Sequence, residues 1–162
     1  MTSIHARVNR LPARRLRLVY SRFMSYIIPA MIIPEILCPA GNMEHLETAC
    51  LYGADAVYLG VRGKTNLRAG ARNFAIEELP GAVGYAHERG VRVYLTLNTY
   101  PHDAQMEELP PIIEQAAGSG VDALIVADLG VLSLVRELAP EMAVHLSTQA
   151  NTVNSRAVRA WA

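Results

Sequence analysis

The chain has 162 residues, of which 51% are apolar and 19% charged, a composition ordinary for one soluble globular domain. Its formal net charge of zero conceals an asymmetry: residues 1–30 carry six arginines and no acid, whereas residues 31–162 carry nine basic and fifteen acidic side chains. The acidic body argues against a duplex-binding surface, which is normally a basic patch, and no apolar run is long enough to cross a bilayer.

The two cysteines, Cys38 and Cys50, show neither a metal-ligand spacing nor a disulfide framework. Such cysteines fit a reducing compartment. We therefore expect a cytoplasmic protein with no membrane partner.

Residues 1–30 form an arginine-rich leader that fits three interpretations. It resembles a transit peptide, a basic arm for RNA, or a translated leader ahead of a start at Met31, and we favour the last. We expect residues 1–30 to be disordered or only loosely helical, and we place one domain over residues 31–162.

From Met31 onward, strand and helix signals alternate along the chain. The predicted strands are residues 32–37, 56–59, 91–98, 123–127 and a fifth that begins at 143. The predicted helices are residues 43–52, 76–89, 105–117, 131–138 and a fifth that begins near 154. Pro110 and Pro111 are expected to bend the third helix or to delay its start.

Three predicted strands follow a glycine, at Gly53, Gly90 and Gly120, and this spacing is typical of a repeated supersecondary unit. The alternation implies parallel strands with right-handed crossovers, in a doubly wound sheet or a (β/α) barrel. Strands of a doubly wound sheet are apolar on both faces. Here several strands have one partly polar face, as at Tyr94 and Thr96. We therefore predict an α/β fold, a TIM-barrel-like (β/α) repeat of about five units.

Five strands cannot close an eight-stranded barrel, which usually needs about 250 residues. We therefore expect an incomplete barrel, either a fragment of a longer protein or a chain completed by strands from another. The unpaired edge of an incomplete barrel predicts self-association.

The fifth predicted strand carries an unusual number of polar side chains. They alternate with apolar positions and share one face of the strand. These residues are His145, Ser147, Gln149 and Asn151. Burying such a row is costly unless partners or a ligand satisfy it, so we predict that the row lines a cavity.

Peptidase chemistry finds little support in these residues. A peptidase needs a nucleophile with a base in hydrogen-bond reach, but Ser147 and His145 are neighbours on one strand face, roughly 7 Å apart and aligned rather than convergent. The sequence places no base beside Cys38, and it lacks the metalloprotease motif H-E-x-x-H. We assign no metal ligand.

Six blocks in order carry a resemblance to a known family. They are I-P-E-I-L-C-P-A-G-N (33–42), Y-G-A-D-A-V-Y-L-G (52–60), N-L-R-A-G-A-R-N-F (66–74), L-N-T-Y-P-H (97–102), D-A-L-I-V-A-D-L-G (122–130) and H-L-S-T-Q-A-N (145–151). This pattern resembles the N-terminal part of peptidase family U32.

The resemblance implies a TIM-barrel-like domain of a bacterial, cytoplasmic protein. It also implies one of several activities: hydroxylation of the tRNA wobble uridine, hydroxylation of ribosomal RNA, oxygen-independent hydroxylation in ubiquinone synthesis, or the activity of a collagenase-like protease. The stretches 98–105 and 147–154 are most similar to the tRNA-hydroxylation branch. That branch implies tRNA and a prephenate-like small molecule as partners.

Some members of the family bind an iron–sulfur cluster through cysteines that lie C-terminal to the matched region, and this sequence lacks those positions. Cys38 stands where relatives tend to have alanine or serine, so we do not count it as a cluster ligand. We expect no cofactor to be bound by this chain. An inactive truncated product is therefore an alternative to an enzyme.

The candidate site residues follow from barrel geometry and from the resemblance together. Barrel enzymes keep their reacting groups at the carboxyl ends of the strands, which predicts catalytic roles for four residues. They are Asn98, Asp128, His145 and Gln149. We predict that Ser147 and Asn151 contact the substrate.

Two further segments are candidates for binding an anion. Asn42 begins the first helix, where backbone N–H groups favour an anion; the alternative is a plain N-cap. Arg68 and Arg72 lie in a long basic loop, residues 60–74, and suit phosphates or the carboxylates of the prephenate-like donor that the resemblance implies. The alternative for this loop is a solvated surface segment.

Overall fold

Five parallel strands form one sheet, and their order in the sheet is their order along the chain. The strands are β1 (Leu37–Pro39), β2 (Ala56–Leu59), β3 (Arg92–Leu97), β4 (Ala123–Val126) and β5 (Val144–Leu146). A doubly wound sheet reverses its strand order at a switch point, whereas barrel strands follow one another in sequence. The observed order confirms the predicted TIM-barrel-like (β/α) repeat.

The computed structural model describes residues 34–63, 65–66, 70 and 72–162. The predicted leader, residues 1–30, lies outside the described residues, as does the start of the predicted first strand.

Helices follow each of the strands. They are α1 (Met43–Leu51), α2 (Leu79–His87), α3 (Asp103–Met106), α4 (Leu109–Ser119), α5 (Leu129–Leu138) and α6 (Ser155–Trp161), with short 3₁₀ helices at Ile76–Glu78 and Thr148–Ala150. The glycines that precede three strands all have positive φ, at 87° for Gly53, 65° for Gly90 and 80° for Gly120. Only glycine adopts this conformation without steric cost, so the repeated residue has a backbone cause.

Two predicted helices are divided in the structure. The predicted helix 76–89 is a 3₁₀ turn followed by α2, and the predicted helix 105–117 is α3 followed by α4. The division before α4 has a clear cause, because Pro110 and Pro111 stand at its first positions and proline is tolerated only in the first turn.

The core lies between one face of the sheet and the helices. Val57, Leu95 and Leu124 are fully buried there, packed in one cluster with Leu46 of α1 and Ile113 of α4. Each fully buried side chain of this kind contributes about 1.5–3 kcal/mol of transfer free energy. This face fixes the strands and therefore the positions of the residues that follow them.

The second face of the sheet carries a smaller buried cluster, which includes the Tyr94 hydroxyl. Ala56, Tyr94 and Ala123 are buried in a separate cluster, with Tyr58 and Ile125 packed against it. The sheet register places Tyr58 beside Tyr94 and Tyr94 beside Ala123. The predicted polar face is therefore present, and in a barrel it is the face toward the lumen.

The first and fifth strands differ from their predictions. β1 is Leu37–Pro39, so it begins later than the predicted strand 32–37 and extends beyond it. β5 ends at Leu146, and the chain then turns into the 3₁₀ helix Thr148–Ala150. The prediction that the strand alternation continues through Gln149 and Asn151 is therefore wrong.

Candidate active site at the carboxyl edge of the sheet

The carboxyl ends of β3, β4 and β5 bring several predicted site residues to one edge of the sheet. Asn98 directly follows β3, Asp128 follows β4 by one residue, and Ser147 directly follows β5. The backbone N–H of Ser147 still donates to the Val126 carbonyl at 2.8 Å, so the strand pairing holds Ser147 in place. Ser147 is 7% exposed and is thus fixed by both pairing and burial.

Gln149 is the centre of a hydrogen-bond cluster at this edge. Its side-chain oxygen Oε1 accepts from Asn98 Nδ2 at 3.3 Å and also from the Ser147 hydroxyl. Its backbone carbonyl accepts from the Tyr100 hydroxyl. We call these four residues, Asn98, Tyr100, Ser147 and Gln149, the amide cluster. It joins the end of β3 to the turn after β5, segments about fifty residues apart in the chain.

The turn after β5 explains how Gln149 reaches Asn98. The 3₁₀ helix bends the chain out of the strand direction, and Asn151 closes the turn in the left-handed conformation, with φ 49° and ψ 42°. Asparagine tolerates this conformation better than most residues. Asn151 is the only non-glycine residue with positive φ among those described, and backbone strain of this kind clusters at functional sites.

A cavity of about 400 Å³ lies beside this turn. It is lined by Leu146, Ser147, Thr148, Asn151, Thr152 and Val153. Of the row that we predicted to line a cavity, Ser147 and Asn151 line this one, whereas His145 and Gln149 do not. The Ser147 hydroxyl and the Asn151 amide suit a polar ligand.

Asp128 and Asn42 act as helix N-caps. Asp128 Oδ1 accepts from the Val131 N–H at 3.0 Å at the start of α5, and Asn42 Oδ1 accepts from the His45 N–H at 2.9 Å at the start of α1. The alternative that we kept for Asn42, a plain N-cap, is thus what the structure shows. The catalytic role of Asp128 and the anion-binding role of Asn42 stay predictions.

His145 lies apart from the amide cluster. It belongs to β5 on the lumen face, where its ring contacts Tyr94 edge-on with centroids 4.5 Å apart. The Ser147 hydroxyl donates to Gln149 and not to His145. Serine and histidine therefore do not form a nucleophile–base pair here.

Tyr94 carries a network that the sequence analysis did not include among its site residues. Its hydroxyl donates to Glu35 Oε1 at 2.8 Å and Oε2 at 3.0 Å, and Glu35 also pairs with Arg92 Nη2 at 2.5 Å. Burial, and then the hydrogen bond to Glu35, raise the pKa of Tyr94 to about 12. The phenol therefore stays protonated and remains a hydrogen-bond donor.

Tyr100 is the member of the amide cluster that the sequence analysis missed. Its side chain is about half exposed, and its hydroxyl donates to the backbone carbonyl of Gln149. The block N-T-Y-P-H contains it, but its partner Gln149 lies 49 residues away. Pattern alone does not connect residues at that separation.

The basic loop between β2 and α2 is described only in part. Arg68 lies outside the described residues. Arg72 is exposed, and its carbonyl oxygen packs so closely on Gly41 that a Cβ there would lie 2.9 Å away. The Thr65 hydroxyl is buried and has no partner in the described part of the chain. Since a buried unpartnered hydroxyl costs about 1–3 kcal/mol, this loop contains a polar group that is unsatisfied among the described residues.

The donor set of this chain does not fit an iron–sulfur cluster. Such clusters are typically held by four cysteine thiolates, and the chain has two cysteines, Cys38 in β1 and Cys50 in α1. Burial raises the pKa of the Cys50 thiol and so disfavours the thiolate that a metal needs. No group of three His, Cys, Asp or Glu side chains in the described residues is arranged to hold a metal ion.

Within the described ranges, no helix combines the length and the apolar character that a bilayer crossing requires.

Comparison with known protein families assigns the chain to one of them. Residues 41–162 match the sequence profile of peptidase family U32. The chain belongs to this family. The match covers every element of the amide cluster, so the U32 region includes the whole of the candidate site.

Curated relatives have names of several kinds, among them tRNA hydroxylation proteins and proteases. The chain is 41% identical over 128 residues to tRNA hydroxylation protein P1 of Bacillus subtilis and 42% identical over 135 residues to tRNA hydroxylation protein P of Escherichia coli. It is 42% identical over 125 residues to a protein of Methanocaldococcus jannaschii named as an uncharacterized protease. These matches cover 79%, 81% and 77% of this chain, but 30%, 29% and 30% of the relatives.

A solved structure supports the fold. A U32 peptidase superposes with a TM-score of 0.54 at 22% identity, covering 76% of this chain and 53% of that one. At this identity the likeness concerns the fold alone. It agrees with the sequential parallel sheet described above.

Proposed function

We propose that this U32 chain forms the substrate-recognition part of an RNA-hydroxylating enzyme that acts on the wobble uridine of tRNA. Support comes from the relatives named for tRNA hydroxylation, at 41–42% identity over most of this chain. Because the chain spans 29–30% of their length, the proposal concerns the protein in which this region works. We propose the cytoplasm as its location, where tRNA is found.

The observation that carries the proposal is the hydrogen bond from the Ser147 hydroxyl to Gln149 Oε1. The Ser147 hydroxyl therefore belongs to the amide cluster, and it is not hydrogen-bonded to a side chain that could act as a catalytic base. Amides and hydroxyls at a strand edge supply directional donors and acceptors, which are the groups that recognise the edge of a nucleobase. The geometry therefore supports recognition of a heterocycle better than attack on a peptide bond.

The basic loop suits the second substrate of such a reaction. Arg62 Nε donates to the Asn73 carbonyl at 3.2 Å, which anchors this arginine to the described part of the loop, and the exposed Arg72 lies over the start of α1. Arginines bind carboxylates and phosphates with paired N–H groups. We propose that the loop, with Arg68, holds a prephenate-like dicarboxylate. A C–OH group of this donor would become C–H while a C–H group of the base becomes C–OH, so that atoms and electrons balance.

The peptidase alternative has support in names only. The family name and the names of two curated relatives, a protease and a collagenase, carry it. Serine-peptidase chemistry needs a base within about 3 Å of the nucleophile, and the Ser147 proton is directed to an amide oxygen instead. Ubiquinone-ring hydroxylation and an inactive truncated product stay predictions from the sequence.

A binding experiment with a hydrolysis control tests the proposal. The full chain is titrated into a labelled anticodon stem-loop and, separately, incubated with casein. We expect saturable RNA binding that weakens with added salt, because basic groups release counterions from phosphates, and no casein hydrolysis. Absence of RNA binding, together with casein hydrolysis that Ser147→Ala abolishes, would overturn the proposal in favour of the peptidase.

A further inference from the structure

The side chain of Gln149 is held in one orientation. Two donors, Asn98 Nδ2 and the Ser147 hydroxyl, converge on its oxygen Oε1. The Tyr100 hydroxyl binds the carbonyl of the same residue, so the main chain is fixed as well. Rotating the amide by half a turn would bring its NH₂ group against the NH₂ group of Asn98, donor against donor, which disfavours the flipped form.

This orientation decides which group of Gln149 faces a ligand. The oxygen is used within the cluster, and the NH₂ group lies on the opposite side of the amide. Gln149 is exposed, and the structure gives its Nε2 no acceptor among the described residues. The cluster therefore presents a fixed hydrogen-bond donor at the carboxyl edge of the sheet. Ser147, another member of the cluster, lines the cavity.

We propose that Gln149 selects the base to be modified by donating this N–H to the oxo group at C4 of uracil. Uracil carries an acceptor oxygen at C4, whereas cytosine carries an amino donor at the same position. A fixed donor in the protein therefore accepts uracil and opposes cytosine, donor against donor. This inference rests on the proposed RNA-hydroxylating function and assigns its base specificity to one residue.

Asn98, Ser147 and Tyr100 are positioning residues in this arrangement. Asn98 and Ser147 occupy the acceptor of the Gln149 amide, and Tyr100 fixes its main chain. None of the three needs to touch the base. Their effect on specificity passes through the orientation of the Gln149 amide.

The substitution Gln149→Glu reverses the chemistry and keeps the cluster. A carboxylate still accepts from Asn98 and Ser147, so both donors stay satisfied, but it offers an acceptor where the amide offered a donor. Carboxylates accept hydrogen bonds from the cytosine amino group. The substitution should therefore move the preference from uracil toward cytosine.

The test compares two anticodon stem-loops that differ only in uridine or cytidine at the wobble position. Their affinities for the full chain are measured by fluorescence anisotropy at one salt concentration. We expect the unaltered chain to prefer the uridine loop by about tenfold, the size of one well-placed base contact. With Gln149→Glu we expect the uridine-to-cytidine ratio to fall to one or below.

A matched control separates this effect from charge alone. Gln115 lies exposed on α4, so Gln115→Glu adds the same charge outside the site and should leave the ratio unchanged. Ser147→Ala should lower the ratio and keep binding of both loops, because it releases the amide without removing it.

Two results would overturn the inference, and they are distinguishable. If the unaltered chain prefers the uridine loop and Gln149→Glu leaves the ratio unchanged, RNA binding stands and Gln149 is not the selecting residue. If the unaltered chain binds neither loop, the proposed function fails and this inference fails with it.

Discussion

The Tyr94 hydroxyl donates to both carboxylate oxygens of Glu35, at 2.8 and 3.0 Å, across 59 residues of sequence. Tyr94 is in β3, and Glu35 lies two residues before β1, so the hydrogen bonds tie the third strand to the segment that leads into the first. Tyr94 is 3% exposed and the Glu35 side chain is 29% exposed, so the contact is shielded from water on the tyrosine side. The Tyr94–Glu35 pair therefore links two distant segments of the chain on the lumen face of the sheet.

The hydrogen bonds between Tyr94 and Glu35 predict the effect of Tyr94→Phe on stability. The ring remains to pack against His145, and only the hydrogen bond to a charged acceptor is lost. We expect the free energy of unfolding to fall by about 1.5–3 kcal/mol, measured by urea denaturation. Tyr52 is 76% exposed, so Tyr52→Phe should leave stability unchanged. Equal stability of the two variants would show that the Glu35 contact contributes nothing.

The raised pKa of Tyr94 predicts how the free energy of unfolding changes at alkaline pH. The pKa of Tyr94 is raised from 10.0 to about 12 in the folded chain, so the folded state keeps a proton that the unfolded state releases. The corresponding stability is fully present below pH 10 and is lost as the pH rises through about 12. Urea denaturation between pH 8 and 11.5 should show a steeper loss for the unaltered chain than for Tyr94→Phe. Parallel curves would contradict the assignment.

Asp128 offers a test that separates capping from catalysis. Asp128→Ala removes the N-cap of α5 and should lower the free energy of unfolding by about 0.5–2 kcal/mol. Asp128→Asn keeps a cap of equal rank and should preserve stability. It removes the charge, so we expect the proposed tRNA hydroxylation by the protein that contains this chain to be lost, as measured by nucleoside mass spectrometry of tRNA. Full activity of Asp128→Asn would restrict this residue to its capping role.

The close packing of Gly41 against the Arg72 carbonyl predicts that the basic loop cannot accommodate a larger residue at position 41. A Cβ at this position would lie 2.9 Å from the Arg72 carbonyl, a backbone atom that cannot rotate away. Gly41→Ala should therefore displace the loop and lower the free energy of unfolding by about 1–3 kcal/mol. Gly118 in α4 has open space around it, so Gly118→Ala should instead stabilise by about 0.5–1 kcal/mol. Thermal denaturation of both variants checks the contrast, and an unchanged melting temperature for Gly41→Ala would contradict the packing.

Much of the fold was predictable because its signals are local. β2 has its predicted bounds, since an apolar run directly follows the Gly53 turn, and the helix division before α4 follows from two adjacent prolines. The error at β5 has the opposite origin. Alternation continues in the sequence past Leu146, but the chain leaves the sheet there and turns at Thr148.

The candidate site was predictable in its location and not in its connections. Parallel strands place Asn98, Asp128 and Ser147 at one edge, which the alternation alone implies. The hydrogen bonds of Gln149 to Asn98 and Tyr100 join residues 51 and 49 positions apart. Such pairs depend on the register of three strands and on the turn at Thr148–Ala150. The alternation of polar residues in the sequence does not indicate this turn.

Nucleoside mass spectrometry of tRNA tests the central claim most directly. The cells compared have, as their only U32 protein, the one that contains this chain, either unaltered or with Gln149→Ala. The account predicts hydroxylated wobble uridine with the unaltered protein and its loss with Gln149→Ala at equal protein abundance. Unchanged hydroxylation in the Gln149→Ala cells, or none in the unaltered cells, would contradict it.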